Sequence, residues 1–202
     1  MNDSILQTSN FIKDIIAKDK ILDLALLKTT VKNKHFVRIS SKAPSKLQRI
    51  IVAGYPHGKN LSDDLKFTSG IISALKGHDD NTAQIQIDAA IQPGNSGGPI
   101  IDKIGNVIGV AVEKVNVDWA KENLSRLPEN IAFGIKSGAV INFLDGNNIE
   151  YSIDNELSDD EIDKLIHGGT YYLSCLMTLS QYEKVKKTRV LFSDLEWKKI
   201  LI

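Results

Sequence analysis

Along the first two thirds of the chain, apolar residues fall in short runs separated by turn formers, the patterning of strands rather than helices. Residues 11–17, 22–27 and 35–39 form three such runs. A polar linker containing Pro44 follows over 41–46, and the run that resumes at Arg49 is stopped by Pro56. Residues 65–75 read as a long strand bent at Gly70, and Gln84-Ile85-Gln86-Ile87 has the period of a half-buried strand. Further strands are predicted at 99–101, 107–112 and 131–135, with a turn at 102–106. Residues 116–130 read as a surface loop with some helical character. So many short strands with frequent turn signals predict a barrel or a sandwich.

From Ser137 the period changes. Val140, Ile141, Phe143 and Leu144 have helical spacing. Ser158-Asp159-Asp160-Glu161 is a capping box, opening a helix that runs toward Leu176 unless Gly168-Gly169 breaks it. Residues 151–202 therefore read as a mainly helical appendage; by its resemblance to the helical ends of some single-domain proteins of the family named below, it is expected to pack on the second barrel, with Thr170–Cys175 adding a strand there. The basic stretch 184–189 reads as a solvated face.

Composition narrows the functional classes. Lys plus Arg, 25, equals Asp plus Glu, 25, within 202 residues. The chain has no overall field to draw it to nucleic acid or an anionic membrane, and it is long enough to bury a core. Its lone cysteine, Cys175, excludes an intrachain disulfide and is expected to be a small buried hydrophobe. His35, His57, His78 and His167 lack ligand spacing, so neither a metal nor an organic cofactor is expected. Residues 1–10 have no basic or apolar signal-peptide pattern, and no segment has the length of a membrane span. The compartment is then cytoplasmic, or periplasmic or secreted if an export signal lies upstream of Met1.

The densest chemistry lies in 87–100, where Gly94-Asn95-Ser96-Gly97-Gly98-Pro99 sets a serine in a glycine-rich turn between apolar runs. Glycines there admit restricted backbone conformations, so amides near Ser96 can converge on one oxygen. A hairpin turn with an incidental serine is the alternative reading. Asp23 begins an almost wholly apolar run, and is either at its exposed end or buried with a partner.

Taken together, Leu22-Asp23-Leu24-Ala25-Leu26-Leu27, Gly54-Tyr55-Pro56, Gly70-Ile71-Ile72-Ser73, the 88–99 stretch, Gly105-Asn106-Val107-Ile108-Gly109 and Ala132-Phe133-Gly134-Ile135 stand in an order that resembles the trypsin-like serine proteases, most of all the bacterial HtrA (Deg) type. The resemblance covers about residues 11–145. It implies a mainly β, double-barrel fold with the active site between the barrels. Here that becomes an incomplete N-terminal barrel over 1–44, a C-terminal barrel carrying the nucleophile turn over 45–146, and a mainly helical extension over 147–202, too short and too helical for a PDZ domain. It also implies that Ser96 is the catalytic nucleophile, that the Gly94 and Ser96 amides form the oxyanion hole, and that Asp23 orients the catalytic histidine. Ala90 falls at the base of the specificity pocket, where no acid would select Lys or Arg; small or medium apolar side chains are expected. Peptides or unfolded proteins are the implied substrates.

One departure matters. In the family the general-base histidine precedes the aspartate, and none of the 22 residues before Asp23 is histidine. The four histidines all lie downstream. The expectation is a serine endopeptidase site that is inactive as this chain alone. Three explanations stand: a true start further upstream, a non-catalytic homologue acting as a peptide-binding or adaptor module, or a second polypeptide completing the first barrel. A β-rich structural domain with no active site is the competing class.

Overall fold

The computed structural model describes residues 5–7, 12–32, 35–57, 62, 64–114, 130–153 and 156–174. In chain order the strands are β1 (Ile5–Gln7), β2 (Ile12–Asp19), β3 (Leu24–Thr29), β4 (Arg38–Ile39), β5 (Arg49–Gly54), β6 (Lys66–Ala74), β7 (Gln84–Ile87), β8 (Pro99–Ile101), β9 (Asn106–Lys114), β10 (Ala132–Lys136) and β11 (Tyr172–Ser174). Two α-helices, α1 (Ser137–Asp145) and α2 (Asp159–Gly169), accompany them.

Six of the strands close on themselves. Their order is β10-β7-β6-β5-β8-β9, and β9 pairs back to β10, so every strand has two neighbours and the barrel has no open edge. Alternation places Ile85 and Ile87 of β7 inside and leaves Gln84 and Gln86 half-buried. Ile50, Val52, Ile72 and Ile100 complete the centre, all essentially without solvent contact. Gly70 lies inside β6, which runs unbroken through it, and a Cβ there would collide with Asp88 Oδ1. That carboxylate accepts the Ile71 N–H at 2.6 Å, and the Asp88 N–H donates back to Ile71 O at 3.2 Å. Asp88 thereby fixes the point where the chain leaves β7 for the glycine-rich turn.

The N-terminal strands are arranged differently. β2 and β3 form an antiparallel two-stranded sheet, so the first barrel is incomplete. Leu24 and Leu26 bury one face of this hairpin against Val110, Val140, Phe143 and Leu144. Ile15 and Ile16 of β2 remain 52% and 48% exposed. The strand read at 22–27 begins two residues later than expected. Asp19 Oδ1 accepts the Ile21 and Leu22 N–H groups at 2.8 and 2.9 Å, and this local turn keeps 20–23 out of the strand. The run at 35–39 shortens to β4, which lies parallel to β9, with His35 and Phe36 exposed.

The helices follow their local signals. α1 buries Val140, Phe143 and Leu144. At the start of α2, Glu161 Oε2 accepts the Ser158 N–H at 2.9 Å and the Ser158 hydroxyl at 2.7 Å. Gly168-Gly169 ends the helix, and the strand read at 170–175 appears as β11. Its partner corrects the sequence reading: β11 pairs in parallel with β1, Ile5 opposite Tyr172, and not with the barrel. Among the described residues no helix is long and apolar enough to cross a membrane. All but the last residue of the loop read at 116–130, together with Cys175 and the 184–189 stretch, lies outside the described residues.

Candidate active site

The turn between β7 and β8 is clamped from three sides. Inside it, Asn95 N–H donates to Gln92 O at 2.9 Å and Gly98 N–H to Asn95 O at 2.9 Å, forming two consecutive turns around the buried Asn95. Toward β9, Gly97 N–H donates to Ala111 O at 2.7 Å and Ala111 N–H to Gly98 O at 2.9 Å. Toward the end of β5, Tyr55 N–H donates to Gly94 O at 3.2 Å and His57 N–H to Pro93 O at 2.7 Å. Glycine is required at two places. Gly94 has φ +103°, and its Cβ would strike the Tyr55 carbonyl; a Cβ on Gly98 would strike the Ala53 carbonyl.

The pattern of bonds leaves two amides over. The N–H groups of Asn95, Gly97 and Gly98 are engaged, whereas among the described residues no hydrogen bond has Gly94 N–H or Ser96 N–H as donor. Ser96 is half-buried, in a cleft whose other surfaces come from Tyr55, Val107, Val110 and Val140. The remaining wall is Gly169–Leu173, from the C-terminal extension. Burial in this neighbourhood pushes the Tyr171 hydroxyl above its ordinary pKa.

Asp23 occupies the residue before β3 with φ +57°, and its Oδ2 oxygen is shielded from solvent. Leu24 and Leu26 just beyond it share a core cluster with Val110 and Val140, two residues that also line the Ser96 cleft. Asp23 itself is not among the lining residues. Ala90 is exposed and also lies off this cleft.

The histidines are dispersed. His57 is exposed with φ +58°, and His78 faces Asp79 Oδ2 at 3.1 Å and the edge of Phe133 at 6.5 Å. The His35 ring packs where a Cβ on Gly168 would be, and His167 is in the last turn of α2. None of the four lines the cleft. Among the described residues no group of three His, Cys, Asp or Glu side chains is placed to hold a metal.

Three contributors to the site had no assigned role in the sequence reading. Asp88 braces the entry to the turn; the glycine within β6 was the available signal. Tyr55 holds Gly94, and its place between Gly54 and Pro56 was the only hint. The segment at 169–173 was read as a helix break and a strand, with nothing local to place it at the cleft.

Comparison with known proteins agrees with this geometry. A trypsin-like peptidase domain profile matches residues 6–110. The uncharacterised protein y4bJ of Sinorhizobium fredii is 38% identical over 132 residues, 65% of this chain and 21% of that protein. The serine protease Do-like HtrB of Bacillus subtilis is 32% identical over 162 residues, 74% of this chain and 31% of that protein. The crystal structure of a serine endoprotease from Yersinia pestis superposes with a TM-score of 0.51 at 27% identity, covering 66% of this chain and 43% of that one. The chain thus spans only a minor part of the relatives it matches. With the family profile covering more than half of its length and a closed barrel presenting the serine turn, this chain belongs to the trypsin-like peptidase family, in its HtrA-type branch.

Proposed function

We propose that Ser96 is the nucleophile of a serine endopeptidase site for peptides or unfolded proteins, with the Gly94 and Ser96 amides as its oxyanion hole and Asp23 as the carboxylate that orients a histidine base. The observation that carries this reading is that, among the described residues, the amides of Gly94 and of Ser96 itself make no hydrogen bond in a turn whose other amides are tied down. A carbonyl attacked by Ser96 Oγ becomes tetrahedral, its oxygen gains negative charge, and unengaged amide donors at that oxygen stabilise the charge. Relatives named as serine proteases support the assignment. Ala90 supplies no charge to the specificity pocket, so small or medium apolar side chains are the preferred residues at the cleaved bond.

The base is absent from this chain. In a complete triad a histidine takes the Ser96 proton during attack and returns it to the leaving amine. No histidine precedes Asp23, and none of the four downstream lines the cleft. Loss of that base costs on the order of 10⁶ in kcat in a serine protease, leaving roughly 10³–10⁴ over water. The 202-residue chain alone therefore hydrolyses peptides negligibly. The test is fluorophosphonate labelling of the purified chain: slow capture that disappears in Ser96→Ala and accelerates with added imidazole supports the reading. Rapid labelling without imidazole would overturn the inactivity, and labelling that survives in Ser96→Ala would overturn the nucleophile.

A second reading rests on β2, which among the described residues pairs with β3 alone and leaves Ile15 and Ile16 exposed. As a non-catalytic peptide-binding module, the chain would take an extended segment along this edge. Peptide binding without turnover, equal in the wild type and Ser96→Ala and lost when β2 carries a proline, would distinguish it.

A further inference from the structure

We propose that the C-terminal extension is a positioning element of the oxyanion hole: packed on Tyr55, it fixes the segment 55–57, and that segment fixes the peptide bearing the Gly94 N–H. The proposal rests on the reading that the Gly94 and Ser96 amides receive the oxyanion.

The direction of an amide is set by the carbonyl of its own peptide unit. Among the described residues no peptide bond is cis, so each N–H points opposite to the carbonyl before it. For Ser96 that carbonyl is Asn95 O, which accepts the Gly98 N–H at 2.9 Å within the turn. For Gly94 it is Pro93 O, which accepts the His57 N–H at 2.7 Å from outside the turn. The next carbonyl, Gly94 O, accepts the Tyr55 N–H at 3.2 Å. The Ser96 amide is thus held by its own turn, whereas the Gly94 amide takes its direction from 55–57. The two segments lie close together, since a Cβ on Gly94 would fall against the Tyr55 carbonyl.

The place of 55–57 comes in turn from the Tyr55 side chain, which the extension holds. Tyr55 follows the end of β5 and is only 3% exposed. Its ring meets the Tyr172 ring edge-on at 5.9 Å, and its hydroxyl donates to Thr170 O at 3.3 Å. Tyr55 also shares a buried cluster with Ile162 and Ile166 of α2, and Tyr172 packs against that same cluster. α2 and β11 therefore hold Tyr55 together. The helix is seated closely on the barrel, because a Cβ on Gly105 would come within 2.8 Å of Ile162 Cγ1.

Beyond Tyr55 the chain turns sharply. Pro56 is buried, and the exposed His57 sits in the left-handed region at φ +58°. That conformation is costly for a residue with a side chain, so it persists only while the flanking contacts impose it. Loosening Tyr55 lets His57 relax and frees the Pro93–Gly94 peptide to rotate. One of the two donors is then lost while Ser96 stays in place.

The test uses the full chain and two reactions at position 96. Fluorophosphonate capture by Ser96, assisted by imidazole, places a phosphoryl oxygen in the oxyanion hole. Alkylation of Ser96→Cys by iodoacetamide, in a Cys175→Ser background, reads access to the same position without using that hole. Tyr172→Ala should slow capture by about two- to tenfold, the worth of one edge-on aromatic pair, and leave alkylation unslowed. Tyr172→Phe keeps the ring and should restore capture. Tyr55→Ala should slow capture further, toward the loss of about 10²–10³-fold expected for one missing donor. In a chain labelled with ¹⁵N-glycine, the Gly94 amide resonance should move in Tyr172→Ala while that of Gly138 stays. Capture unmoved by Tyr172→Ala, capture and alkylation slowed together, or an unmoved Gly94 resonance would overturn the link. Should Tyr55→Ala fail to fold, the two Tyr172 variants decide. A Ser96 that captures no fluorophosphonate would refute the nucleophile and leave the Gly94 resonance to judge the positioning.

Discussion

The six-stranded barrel and the β2–β3 hairpin are built from the same kind of sequence, short runs of Ile, Leu, Val and Ala. Their outcomes differ. In the barrel each strand has two partners and the centre is sealed, with Val52, Ile72, Ile85 and Ile100 all at 0% exposure. In the hairpin only the face bearing Leu24 and Leu26 is covered, while Ile15 and Ile16 stand in water. Apolar periodicity therefore specifies which face of a strand seeks cover, and strand number and pairing decide whether it finds any.

The contrast can be broken most forcefully in the core. Ile100→Ala should cost about 2–5 kcal/mol, since it removes three carbons from a sealed site that cannot fully collapse. Ile16→Ala should stay within about 0.5 kcal/mol. Urea midpoints measure both, and similar values would mean that the hairpin is as well packed as the barrel.

The serine turn offers the next largest effect. Gly94→Ala places a Cβ against the Tyr55 carbonyl at a φ of +103°, so the turn must shift. Slow fluorophosphonate capture at Ser96 should fall by about 10²–10³-fold, the loss of one oxyanion donor. Gly138→Ala, a change with open space around it in α1, should leave capture unchanged and raise stability by about 0.5–1 kcal/mol.

Asp88 sharpens the comparison further: it braces an amide seventeen residues away, whereas Asp19 in the hairpin holds only the amides two and three residues on. Asp88→Ala should destabilise by about 1–3 kcal/mol through the stranded Ile71 amide, and Asp88→Asn should recover most of that by keeping an acceptor. Thermal unfolding of the two variants checks the pair.

The smallest effect is acid sensitivity at the start of α2. The Ser158 N–H, and then its hydroxyl, hold the Glu161 carboxyl below the ordinary glutamate pKa. A depressed carboxyl stabilises the fold above its unfolded pKa, and the contribution disappears as pH falls through the folded value. The local melting of α2, followed by amide exchange, should therefore rise below the ordinary glutamate range in the wild type. Glu161→Gln should flatten that dependence.

How legible the protein was depends on the distance over which each feature is decided. The turn around Ser96 and the Ser158–Glu161 cap were readable because each is set by a few adjacent residues. The extent of β3 was misjudged by two residues since Asp19, just upstream, captures the Ile21 and Leu22 amides and delays the strand. The partner of β11 was misplaced because nothing near Tyr172 specifies Ile5.

By itself the sequence determined the strand-rich class, the family, the start of α2 and the serine between its glycines, all consequences of local backbone sterics and short-period burial. Only the tertiary structure decided which strand neighbours which in the closed barrel, that Asp88 binds an amide seventeen residues away, and that 169–173 wall the serine cleft. Those outcomes depend on which distant surfaces meet. Such pairings are chosen by packing of the whole chain against the entropy of closing long loops, and no local pattern encodes that balance.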